Sequence, residues 1–582
     1  MRIGFCMFKS LKLKNFRNFE EIHIELKDKN IILGMNDVGK SNLLHALRLV
    51  FDKKLRLEDI HSTDFHNKND KDPIEIVIGL DISQDEKEDV QKLKAKAHEA
   101  VTQEESKNFY IKLKIENRIE EGVLKKFYWG DEITDLKEIK TKGINYLILD
   151  DVFSVIYIPS HVETIKVFNE IKKEILRDIV LTESDLILGS EIKDNFDGIN
   201  KNIQKLSSVV KIEEEINDNL KLFDETYKVK ITSQSVVEDL YKQLKIYTIE
   251  NDHDHLYPAS GDGRQKKIMY AMLHYFLGKE IKSKIPLLIL EEPENHLFLS
   301  SQIDLSRTLF EDSNINYIFC SSHSPELLYH IDVDCNLIRL YRKPNKKERI
   351  TESKSAQIRE EYNDLKKMYA ESLSRGYFAD CVLLVEGYSE KLLCDSILKL
   401  NLNRSQLQKI YVLPVLGANF KPYRSLLIKL GIRIIVRTDN DIYKNDVYGL
   451  KRCFKLIDEE IRGTIPEHLK GNKSEGEDVL NKKKIQLYKD YYPCIERLKI
   501  EHDIFLAEID LENDLFNALN DAKITHCLID DTQIGLCDLK SELQDKKWHN
   551  MFLFLNQNEN LFSILFNDYR FDFLKVVKKC LQ

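Results

Sequence analysis

Membrane-spanning segments, a secretion signal and paired cysteines are all missing from this sequence, and each absence excludes a class of protein. No apolar run is long enough to cross a bilayer, so we expect no membrane partner. The opening residues, MRIGFCMFKSLKLKNF, lack the apolar core of a secretion signal. None of the ten cysteines forms a CxxC pair, and the closest two, Cys527 and Cys537, are ten residues apart. This spacing favours reduced thiols in a cytosol over a disulfide scaffold or a zinc site.

The chain also has less positive charge than a protein that coats DNA usually has. Lysine and arginine number 88 against 97 acidic residues, which gives a net charge of −9. Because DNA-coating proteins are usually basic, any contact with DNA should be confined to a local basic groove. The acidic excess also fits carboxylates that gather to hold metal ions. With 582 residues the chain is too long for one core and predicts two or three domains.

The pattern of apolar residues predicts an interrupted α/β domain in the first part of the chain. Residues 8–33 alternate between apolar and polar and predict strands, and a helix follows the glycine-containing loop 34–41. From about 161 to 250 the sequence is charged and helical in pattern, with little glycine or proline, which predicts a helical insertion. Apolar strands at 287–290 and 315–319 return the chain to α/β character.

A second α/β pattern follows the highly charged stretch 343–375, which is the predicted domain boundary. Apolar strands are predicted at 382–386, 411–416 and 433–439, with a helix after the first. Strands that alternate with helices imply a parallel sheet. The polar and basic stretch 464–490 predicts a mobile insertion in this domain.

A phosphate-binding loop is predicted at IILGMNDVGKSNLL, where Gly34, Gly39, Lys40 and Ser41 have the spacing GxxxxGKS. Glycines let backbone N–H groups close on phosphate oxygens, and the N-terminus of the following helix adds a favourable dipole. Lys40 would reach the β and γ phosphates of ATP, and the Ser41 hydroxyl would ligate Mg²⁺. Asn36 lies in the same loop and is included among the nucleotide-binding residues. The alternative is a chance glycine turn.

Carboxylates and a histidine follow two later strands. LLILEEPE places Glu291 and Glu292 at the end of an apolar strand, where ligands of open α/β sheets bind. One carboxylate would hold Mg²⁺ through water, and the other would polarise the attacking water. His323, in FCSSHSPELL, would sense the γ phosphate. Taken singly, the acidic pair also fits a solvated strand end, and a lone histidine is more often structural.

These segments together resemble the motifs of ABC-type ATPases. GMNDVGKS, SGDGRQKK at 260–267, LLILEEPE and SSHSPE are similar to the Walker A, signature, Walker B and switch-histidine motifs. The resemblance implies that Ser260 and Gly263 of the signature contact the nucleotide. The opening LKLKNFRNFEEIHIEL resembles the recombination and SMC-like branch, in which Arg17 would lie near the nucleotide.

Three departures from the ABC pattern favour ATP binding over fast hydrolysis. The first Walker B acid is Glu291, where aspartate is usual. No glutamine fits the Q-loop, and Asp64 in HSTDFH is a weak substitute. The signature reads SGDG, which is not the common form.

A metal site is predicted in the second α/β region. VLLVEGYSEKLL places Glu386 after a strand and Glu390 at the start of a helix, and VRTDNDIY places Asp439 and Asp441 after another strand. Carboxylates at neighbouring strand ends can converge on Mg²⁺ or Mn²⁺, and two such ions activate water and stabilise the leaving oxygen of a phosphodiester. Each motif alone also fits an exposed turn. Together, with LGANF at 416–420 between them, they resemble the Toprim pattern.

A third acidic segment, IFLAEIDLENDL at 504–515, contains Asp510, Glu512 and Asp514. By composition it fits the N-terminus of a helix, where acidic residues are favourable. The order of ABC ATPase and Toprim resembles the OLD (overcoming lysogenization defect) nuclease family, in its Gabija branch. This resemblance implies that Asp510 is a metal ligand with Glu512 close by. It also implies that Lys547, otherwise a surface lysine, is a cation near the scissile phosphate.

The resemblance implies an α/β fold, with an ABC-type ATPase domain that contains a helical insertion and is followed by a Toprim α/β domain. The implied function is that of an ATP-regulated, metal-dependent DNA endonuclease of anti-phage defence in the bacterial cytoplasm. Its cofactors would be ATP and Mg²⁺ or Mn²⁺. Its partners would be double-stranded DNA, a second copy of the chain at least, with a tetramer as the larger alternative, and a UvrD-type helicase of the Gabija system. The predicted domains are the ATPase in two parts, 1–160 and 251–345, the insertion, 161–250, which would serve dimerisation, and the Toprim domain, 346–582.

Two other functions stay open on the sequence. An SMC-like, ATP-dependent DNA clamp would use the carboxylates only to cap strands. A Toprim topoisomerase would need a tyrosine nucleophile on a separate DNA-binding domain, which is not evident, and a primase would commonly carry a zinc module. Metal-dependent nicking of a supercoiled plasmid distinguishes the nuclease from the clamp.

Overall fold

A computed structural model of the chain describes most of its length. The described ranges are 7–97, 100–101, 106–118, 122–139, 147–160, 183–220, 230, 247–249, 256–258, 262–278, 284–311, 315–329, 335–342, 351–357, 373–443, 445–461, 465–471, 475–545 and 547–581. The chain divides into two compact units, of which the second comprises His161–Glu280 and His296–Phe298 and the first comprises the remainder.

No helix within the described ranges has the length and apolar character that crossing a bilayer requires.

Strands occur in both units. In chain order they are β1 (Phe8–Phe16), β2 (Phe19–Glu25), β3 (Lys29–Leu33), β4 (Ile74–Asp81), β5 (Asn108–Arg118), β6 (Gly122–Gly130), β7 (Lys137–Glu138), β8 (Phe153–Ile158), β9 (Tyr247–Ile249), β10 (Leu256–Pro258), β11 (Ile285–Glu291), β12 (Tyr317–Ser321), β13 (Asn336–Arg342), β14 (Thr351–Gln357), β15 (Cys381–Val385), β16 (Ile410–Pro414), β17 (Arg433–Thr438), β18 (Ile442–Tyr443), β19 (Asp446–Val447), β20 (Ile504–Leu506), β21 (His526–Ile529) and β22 (Thr532–Gly535).

The α-helices follow the same order along the chain. They are α1 (Lys40–Phe51), α2 (Lys53–Arg56), α3 (Glu88–Lys96), α4 (Leu149–Val152), α5 (Glu183–Gln204), α6 (Ser207–Leu220), α7 (Asp262–Gly278), α8 (Leu299–Glu311), α9 (Pro325–Tyr329), α10 (Tyr388–Asn401), α11 (Arg404–Leu407), α12 (Lys421–Lys429), α13 (Tyr448–Lys455), α14 (Glu477–Asp490), α15 (Tyr492–His502), α16 (Leu511–Asp521), α17 (Leu536–Asp545), α18 (Lys547–Gln557), α19 (Phe562–Asn567) and α20 (Asp572–Cys580).

The first sheet of the first unit is antiparallel, in the order β2-β1-β4-β5-β6-β7. In β1, Leu11 and Leu13 are fully buried, while the lysines between and after them project to solvent. This alternation is typical of a sheet with one face on the core and one face in water. Leu13 pairs with Ile22 on one side and Ile76 on the other, so apolar residues stay on the same face across the strands.

The second sheet has the order β14-β13-β3-β12-β11-β8, in which all strands but β14 run parallel. Its central strands are continuous apolar runs, such as Ile31–Leu33 and Leu287–Leu290, because parallel strands are covered on both faces. Phe8 of the first sheet packs edge-to-face on Phe319 of this one, with ring centroids 5.2 Å apart. Since β3, β11 and β12 are neighbours and parallel, the residues that follow them meet at one edge.

The charged stretch 343–375 contributes a strand to this second sheet. β14, which begins at Thr351, pairs antiparallel with β13 from Asn336↔Gln357 to Arg342↔Thr351. The sheet of the phosphate-binding loop therefore includes residues beyond 345, where the Toprim domain was predicted to begin. Residues 343–350 and 358–372 of the stretch lie outside the described ranges.

A third sheet, in the order β16-β15-β17-β20, carries the second α/β pattern and is parallel throughout. Its strands begin and end within about two residues of the predicted segments 382–386, 411–416 and 433–439. Leu383, Val385 and Ile435 are fully buried in its core. The carboxyl ends of β15, β17 and β20 lie side by side, which positions the acidic residues that follow them.

The stretch 464–490, predicted to be a mobile insertion, contains a helix in its second half that packs on the domain. Helix α14 covers Glu477–Asp490, with Leu487 buried against the domain. The Lys484 carbonyl accepts a hydrogen bond from the Asn440 side chain at 3.1 Å. The composition was misleading because the polar and basic side chains of this helix project to solvent while a few apolar ones anchor it.

The predicted helical insertion, 161–250, falls in the second unit. Within it the structure describes helices α5 and α6 and the strand β9, which pairs antiparallel with β10. Residues 161–182, 221–229 and 231–246 lie outside the described ranges. The dimerisation role of this segment stays a prediction.

Candidate functional site

The phosphate-binding loop joins β3 to α1 in a conformation that only glycine accepts at two positions. Gly39 has a φ of +105°, and a Cβ there would lie 2.2 Å from the Asn18 side chain. Gly34 has a φ of +150°, and its Cβ would lie 2.6 Å from the Leu340 carbonyl oxygen. Asn36 is exposed in the middle of the loop. The backbone can therefore approach a phosphate closely, as the motif predicts.

Lys40, the first residue of α1, is buried and folds back on its own loop. Its Nζ donates to the Gly34 carbonyl at 2.8 Å and to the Met35 carbonyl at 3.1 Å. Burial lowers the pKa of Lys40, and nearby carboxylates, Glu292 foremost, act in the opposite direction. The ammonium group is thus held at the centre of the loop by carbonyls that phosphate oxygens can replace.

Glu291 ends β11 beside the first turn of α1. Burial raises the pKa of Glu291, and the nearby hydroxyls of Tyr157 and Ser41 act in the opposite direction. The predicted Mg²⁺ ligand Ser41 and the first Walker B acid therefore meet. Tyr157, at the end of β8, was missed by the sequence analysis and also packs under the Arg48 guanidinium, 3.4 Å from its ring centroid.

The second acid and the histidine also meet at this edge. His323 Nδ1 lies 3.4 Å from Glu292 Oε1 and 3.7 Å from Glu294 Oε1. Glu294 was missed by the sequence analysis. It is buried and accepts hydrogen bonds from the Ser322 hydroxyl at 2.8 Å and the His323 N–H at 2.9 Å. The third acid of LLILEEPE therefore fixes the loop that presents the histidine.

Arg17 and Asp64, which the sequence could not connect, form an ion pair. Arg17 Nε donates to Asp64 Oδ1 at 2.9 Å, and its Nη1 donates to Asn42 Oδ1 at 2.9 Å. Asn42 follows Ser41 in α1. Arg17 therefore contacts the residue next to the predicted Mg²⁺ ligand. Arg17, Asn42 and Asp64 line a cavity of about 430 Å³. The position of Arg17 near a nucleotide stays a prediction.

The signature residues are placed only in part. Gly263 lies in the first turn of α7, in the second unit, and Ser260 lies outside the described residues. Their contact with a nucleotide stays a prediction.

In the third sheet, the predicted metal ligands follow three neighbouring parallel strands. Glu386 follows β15, Asp439 and Asp441 follow β17, and Asp510 comes four residues after β20. Asn440, the middle residue of the DND motif, joins the last two segments. Its N–H donates to the Ile509 carbonyl at 3.0 Å, so Asp510 is held beside Asp439.

Glu386 reaches across to the neighbouring strand. Its Oε1 accepts hydrogen bonds from the Thr438 hydroxyl at 2.6 Å and from the Asp439 N–H at 2.9 Å. The same oxygen is paired with the Arg452 guanidinium. The orientation of the Glu386 carboxylate is therefore fixed by Thr438 and Asp439 at the end of β17 and by Arg452 in α13.

Asp439 is held by Arg437, two residues earlier on β17. Arg437 Nη1 donates to Asp439 Oδ1 at 2.6 Å, and its Nη2 donates to Asp514 Oδ2 at 3.0 Å. Arg437 is 2% exposed, which makes it a buried cation between two carboxylates. Burial raises the pKa of Asp439, and the carboxylates of Glu386, Glu390 and Asp510 raise it further.

Asp441 and Glu386 share the Arg452 guanidinium, whose other nitrogen pairs with Asp441. Arg452 lies in α13, and its side chain is only 10% exposed. The sequence analysis missed Arg437 and Arg452. The segments VRTD and YGLKRCFK have the residue patterns of an ordinary strand and an ordinary helix, with no sign of a site. A basic residue two places before DxD was the available signal.

The remaining acidic residues surround this cluster. Glu390 is buried and caps α10 by accepting from the Gly387 N–H at 3.1 Å. Asp510 caps α16, accepting from the Asn513 N–H at 2.9 Å, so the helix-capping interpretation of this residue was structurally sound. Burial raises the pKa of Glu512, as do Asp510 and Glu390. Glu512 therefore lies near the cluster.

Lys547 begins α18, and its side chain lies outside what the structure describes. Its position near a phosphate stays a prediction.

The donor set fits a hard divalent cation by its chemistry. All the ligands predicted in this sheet are carboxylates, and after burial the charges of Glu386, Glu390 and Asp510 raise the pKa of Asp439. Among the described residues no three acidic, histidine or cysteine side chains form a ready ligand set. Arg437 pairs with Asp439, and Arg452 pairs with Glu386 and Asp441. If the predicted ligands Glu386, Asp439, Asp441 and Asp510 hold Mg²⁺ or Mn²⁺, the ion would compete with Arg452 for Glu386 and Asp441.

Two family models match the chain. The AAA ATPase domain model matches residues 7–328, and the TOPRIM domain model of overcoming lysogenization defect protein-like proteins matches residues 377–441. These matches confirm the predicted order of an ATPase domain followed by a Toprim domain.

Relatives cover most of the chain. The endonuclease GajA of Bacillus cereus (strain VD045) is 36% identical over 531 residues, which are 88% of this chain and 90% of that protein. An ATP/GTP phosphatase of Helicobacter pylori (strain ATCC 700392 / 26695) is 24% identical over 350 residues, 56% of this chain and 88% of that protein. Among solved structures, an SMC head bound to the C-terminal winged-helix domain of ScpA covers 61% of this chain and 99% of its own, at 14% identity and a TM-score of 0.34.

Proposed function

Because this chain belongs to the OLD-type family of the endonuclease GajA, with an AAA ATPase domain before an OLD-like Toprim domain, we propose that it cuts DNA by metal-dependent hydrolysis. The observation that carries the proposal is the meeting of carboxylates from three parallel strand ends. Glu386, Asp439 and Asp510 come from β15, β17 and the segment after β20. The Asp439 N–H donates to Glu386 Oε1 at 2.9 Å, and the Asn440 N–H donates to the carbonyl of Ile509, the residue before Asp510, at 3.0 Å.

The residues of this site have distinct roles in the proposed reaction. Bound Mg²⁺ or Mn²⁺ supplies activation of water, the proposed nucleophile, and neutralises charge on the phosphate. Thr438 and the Asp439 N–H orient Glu386, and Arg437 orients Asp439. Lys547 is proposed to neutralise charge on the scissile phosphate in the transition state.

Nicking of a supercoiled plasmid by the purified protein tests the nuclease activity. We expect nicking with Mg²⁺ or Mn²⁺ and none in EDTA. A clamp would bind the plasmid and leave it intact with either ion. A topoisomerase would leave a covalent protein–DNA adduct after denaturation, and that adduct would also contradict the proposal.

We further propose that ATP regulates cutting and does not drive it, since hydrolysis of a phosphodiester is already favourable. The contact of Ser41 with Glu291 and the position of Lys40 support nucleotide binding with Mg²⁺. A nucleotide can shift a conformational equilibrium only if its affinity differs between the two states. The family resemblance favours inhibition of cleavage by ATP over activation. Loss of nucleotide during infection would then allow cleavage.

The test of this regulation is nicking across rising ATP at constant free Mg²⁺, because ATP also chelates the metal. Wild-type cleavage should fall as ATP rises. Lys40→Ala should keep basal cutting and lose the response. A constant cleavage rate in the wild type, or a wild-type response in Lys40→Ala, would contradict the regulatory role.

The assembly is proposed to be at least a dimer. In ABC-type ATPases the nucleotide lies between the Walker A loop of one subunit and the signature of another, and this chain carries one of each. A complete site then needs two chains related by an isologous interface. Light scattering that shows only a 68.4 kDa monomer, with and without ATP, would contradict this. A tetramer would extend it.

The remaining expectations rest on the family resemblance alone. They are a UvrD-type helicase partner, double-stranded DNA as substrate, a place in the bacterial cytoplasm and a role in anti-phage defence. Loss of phage protection in cells that carry Asp439→Ala, with protection in cells that carry the wild type, would be the matching outcome.

A further inference from the structure

The antiparallel strands β13 and β14, which we call the edge pair, contact both the phosphate-binding loop and the Toprim sheet. β13 is a parallel neighbour of β3, the strand that leads into the loop. β14 pairs with β13 over seven residues and forms the edge of the sheet. The parallel ATPase sheet and the Toprim sheet belong to the same compact unit. The edge pair is therefore a direct physical connection between the two sites.

Two hydrogen bonds join the edge pair to the backbone of the phosphate-binding loop. Arg342 Nη2, at the end of β13, donates to the Asp37 carbonyl at 3.0 Å. The Thr351 hydroxyl, at the start of β14, donates to the Val38 carbonyl at 2.9 Å. Both strands of the edge pair thus hold the loop segment that is predicted to close on phosphate.

Nucleotide binding should change the loop where it lies against the edge pair. A Cβ on Gly34 would lie 2.6 Å from the Leu340 carbonyl oxygen, so these two residues are in close contact. The Gly34 carbonyl accepts a hydrogen bond from Lys40 Nζ at 2.8 Å. A phosphate that takes the ammonium group of Lys40 leaves this carbonyl without its donor. The contact with Leu340 would therefore differ between the free and nucleotide-bound states, as a shift in conformational equilibrium requires.

On the Toprim side, the edge pair is attached through a buried arginine. Arg339, the residue before Leu340, is 4% exposed. Its Nη2 donates to the Ala379 carbonyl at 3.0 Å and to Asp380 Oδ1 at 2.7 Å. Asp380 immediately precedes β15, the strand that leads to Glu386. Arg339 thus fixes the start of a strand whose other end carries a predicted metal ligand.

The neighbouring strand β17 begins at the same place. The Arg433 N–H, at the start of β17, donates to the Asp380 carbonyl at 3.2 Å. Gly431, two residues earlier, lies against β14, since a Cβ there would be 3.0 Å from Lys354 Cγ. β17 leads to Asp439. The edge pair therefore contacts the starts of both strands that end in the carboxylates Glu386 and Asp439.

The two Toprim strands can carry a displacement from their starts to their ends. Asp380 and Glu386 are six positions apart, which is about 20 Å along an extended strand. β15 and β17 pair in parallel over four residues, so a shift of their starts moves both. Packed elements change between discrete arrangements, and small shifts are amplified in this way. Glu386 and Asp439 would then move together relative to Asp510, which follows β20.

We propose that the edge pair couples the phosphate-binding loop to the Toprim metal site, with Thr351 as its contact on the loop and Arg339 as the positioning residue on the Toprim side. This proposal rests on the proposed function and names the connection through which ATP regulates it. Energetic coupling between distant sites is carried by contiguous hydrogen bonds and packed elements with two arrangements. Removal of either contact should therefore uncouple the sites while each site stays complete.

The first experiment compares nicking with and without saturating ATP at constant free Mg²⁺. Couplings between protein sites are typically about 5- to 150-fold, so wild-type nicking should fall at least about five-fold. Arg339→Met should nick at the wild-type rate without ATP and respond less than about two-fold. It leaves Asp380 in contact with water, because that side chain is 39% exposed. Thr351→Val keeps the branched side chain, loses only the hydroxyl, and should show the same loss of response.

Hydrogen–deuterium exchange gives a second readout, which depends neither on cutting nor on whether ATP inhibits or activates. In the wild type, ATP should change amide exchange in the loop 34–41 and also in the Toprim segments 379–386 and 431–439. In Arg339→Met the change in the loop should remain, and the changes in both Toprim segments should be lost. A purely structural role of Arg339 would not separate the two responses.

Asp503→Asn is the matched control. Asp503 pairs with Arg433 at 3.0 Å at the same end of the Toprim sheet, but it connects β17 with β20. This variant should keep the wild-type response to ATP in both experiments. Urea denaturation establishes that the variants are folded. If Arg339→Met does not fold, Thr351→Val decides the question from the other end of the edge pair.

Toprim segments that do not respond to ATP in the wild type, or that respond equally in Arg339→Met, would overturn the coupling proposal. These outcomes are distinguishable from failure of the proposed function. A protein whose Toprim segments respond to ATP through Arg339 but that never nicks DNA with Mg²⁺ or Mn²⁺ contradicts the nuclease. A protein that nicks DNA and is inhibited by ATP equally in the wild type and in both variants contradicts only the coupling.

Discussion

Both halves of the chain place carboxylates at the ends of parallel strands, yet they balance this charge in different ways. In the ATPase half, the buried Lys40 donates to backbone carbonyls, and the Glu291 carboxyl group lies near the hydroxyls of Tyr157 and Ser41. In the Toprim half, Arg437 and Arg452 pair directly with the carboxylates. At similar strand ends, the basic side chain is thus bound to neutral carbonyl oxygens in the ATPase half. In the Toprim half, the basic side chains are bound to charged carboxylate oxygens.

The difference follows from the ligand that each site is proposed to receive. A nucleotide brings negative phosphates, and a lysine held only by carbonyls can move to them without leaving a buried carboxylate unpaired. A divalent cation brings positive charge, so carboxylates that await it need a temporary partner in its absence. Arginine supplies that partner, since its planar group bridges two carboxylates at once.

The largest effect should come from breaking the carboxylate cluster itself. Asp439→Ala removes a predicted metal ligand, whose pKa is raised by the charges of Glu386, Glu390 and Asp510. We expect cleavage to fall by about a thousand-fold or more. Nucleotide binding, measured with a fluorescent ATP analogue, should stay at the wild-type level because Lys40 lies at the start of α1 in the ATPase domain.

A matched control for this variant is Asp503→Asn. Asp503 pairs with Arg433 at 3.0 Å at the opposite ends of β17 and β20, away from the cluster. It should cut normally. Wild-type cutting by Asp439→Ala would show that the metal assignment is wrong.

Arg437→Met tests the idea that arginine is a structural partner in the Toprim half. Removal of one member of a buried ion pair typically costs about 3–5 kcal/mol, because the other charge is left without a partner. Here two carboxylates, Asp439 and Asp514, lose their partner. Urea denaturation should show this loss, and the double variant Arg437→Met/Asp514→Leu should recover part of it. A single variant as stable as wild type would contradict the comparison.

Lys40→Ala is the counterpart in the ATPase half and should affect binding more than folding. Its hydrogen bonds go only to two backbone carbonyls, so the free energy of unfolding should change little. Affinity for ATP should fall by about 10- to 100-fold, the range of one charge-assisted hydrogen bond. Lys53→Ala, on the surface helix α2, is the control. Unchanged ATP affinity in Lys40→Ala would exclude the loop as the phosphate site.

The parts of these sites that the sequence predicted are those fixed by chain order and strand period. Glu291, Glu386 and Asp439 each end an apolar strand, and parallel strands bring such ends to one edge whatever the loops do. The loop glycines were also predictable. Gly39 needs a left-handed backbone conformation, and the GxxxxGKS motif has glycine at that position.

The partners of these residues were not predictable from local pattern. Arg452 reaches Glu386 from 66 residues away, and Arg437 reaches Asp514 across 77 residues. Such pairs are set by tertiary packing, and a lysine- and arginine-rich helix such as α13 has the composition of any solvated helix. The helix at 477–490 was missed for the same reason, since composition does not show that Asn440 bonds to its backbone.

The two halves should also respond to pH in opposite directions. In the Toprim half, burial raises the pKa of Asp514 to about 7. The folded state then holds a proton that the unfolded state has lost, so the contribution of Asp514 to stability falls as pH rises from about 4 to about 7. Asp514→Asn should remove this fall, as seen in the urea midpoint at several pH values. A midpoint that depends on pH identically in both proteins would contradict it.

In the ATPase half the smallest effect is expected at His45, beside Arg17. Burial, with Arg17 and Arg48, lowers the pKa of His45 to about 4, and its Nε2 lies 3.2 Å from Arg17 Nη2. A histidine with a pKa of about 6.5 when unfolded binds fewer protons in the folded state, so its contribution is complete above about pH 6.5 and is lost as pH falls toward 4. His45→Gln keeps a hydrogen-bonding oxygen for Arg17 and cannot titrate. Its urea midpoint should therefore fall less than that of wild type over this interval, and an equal fall would show that another group is responsible.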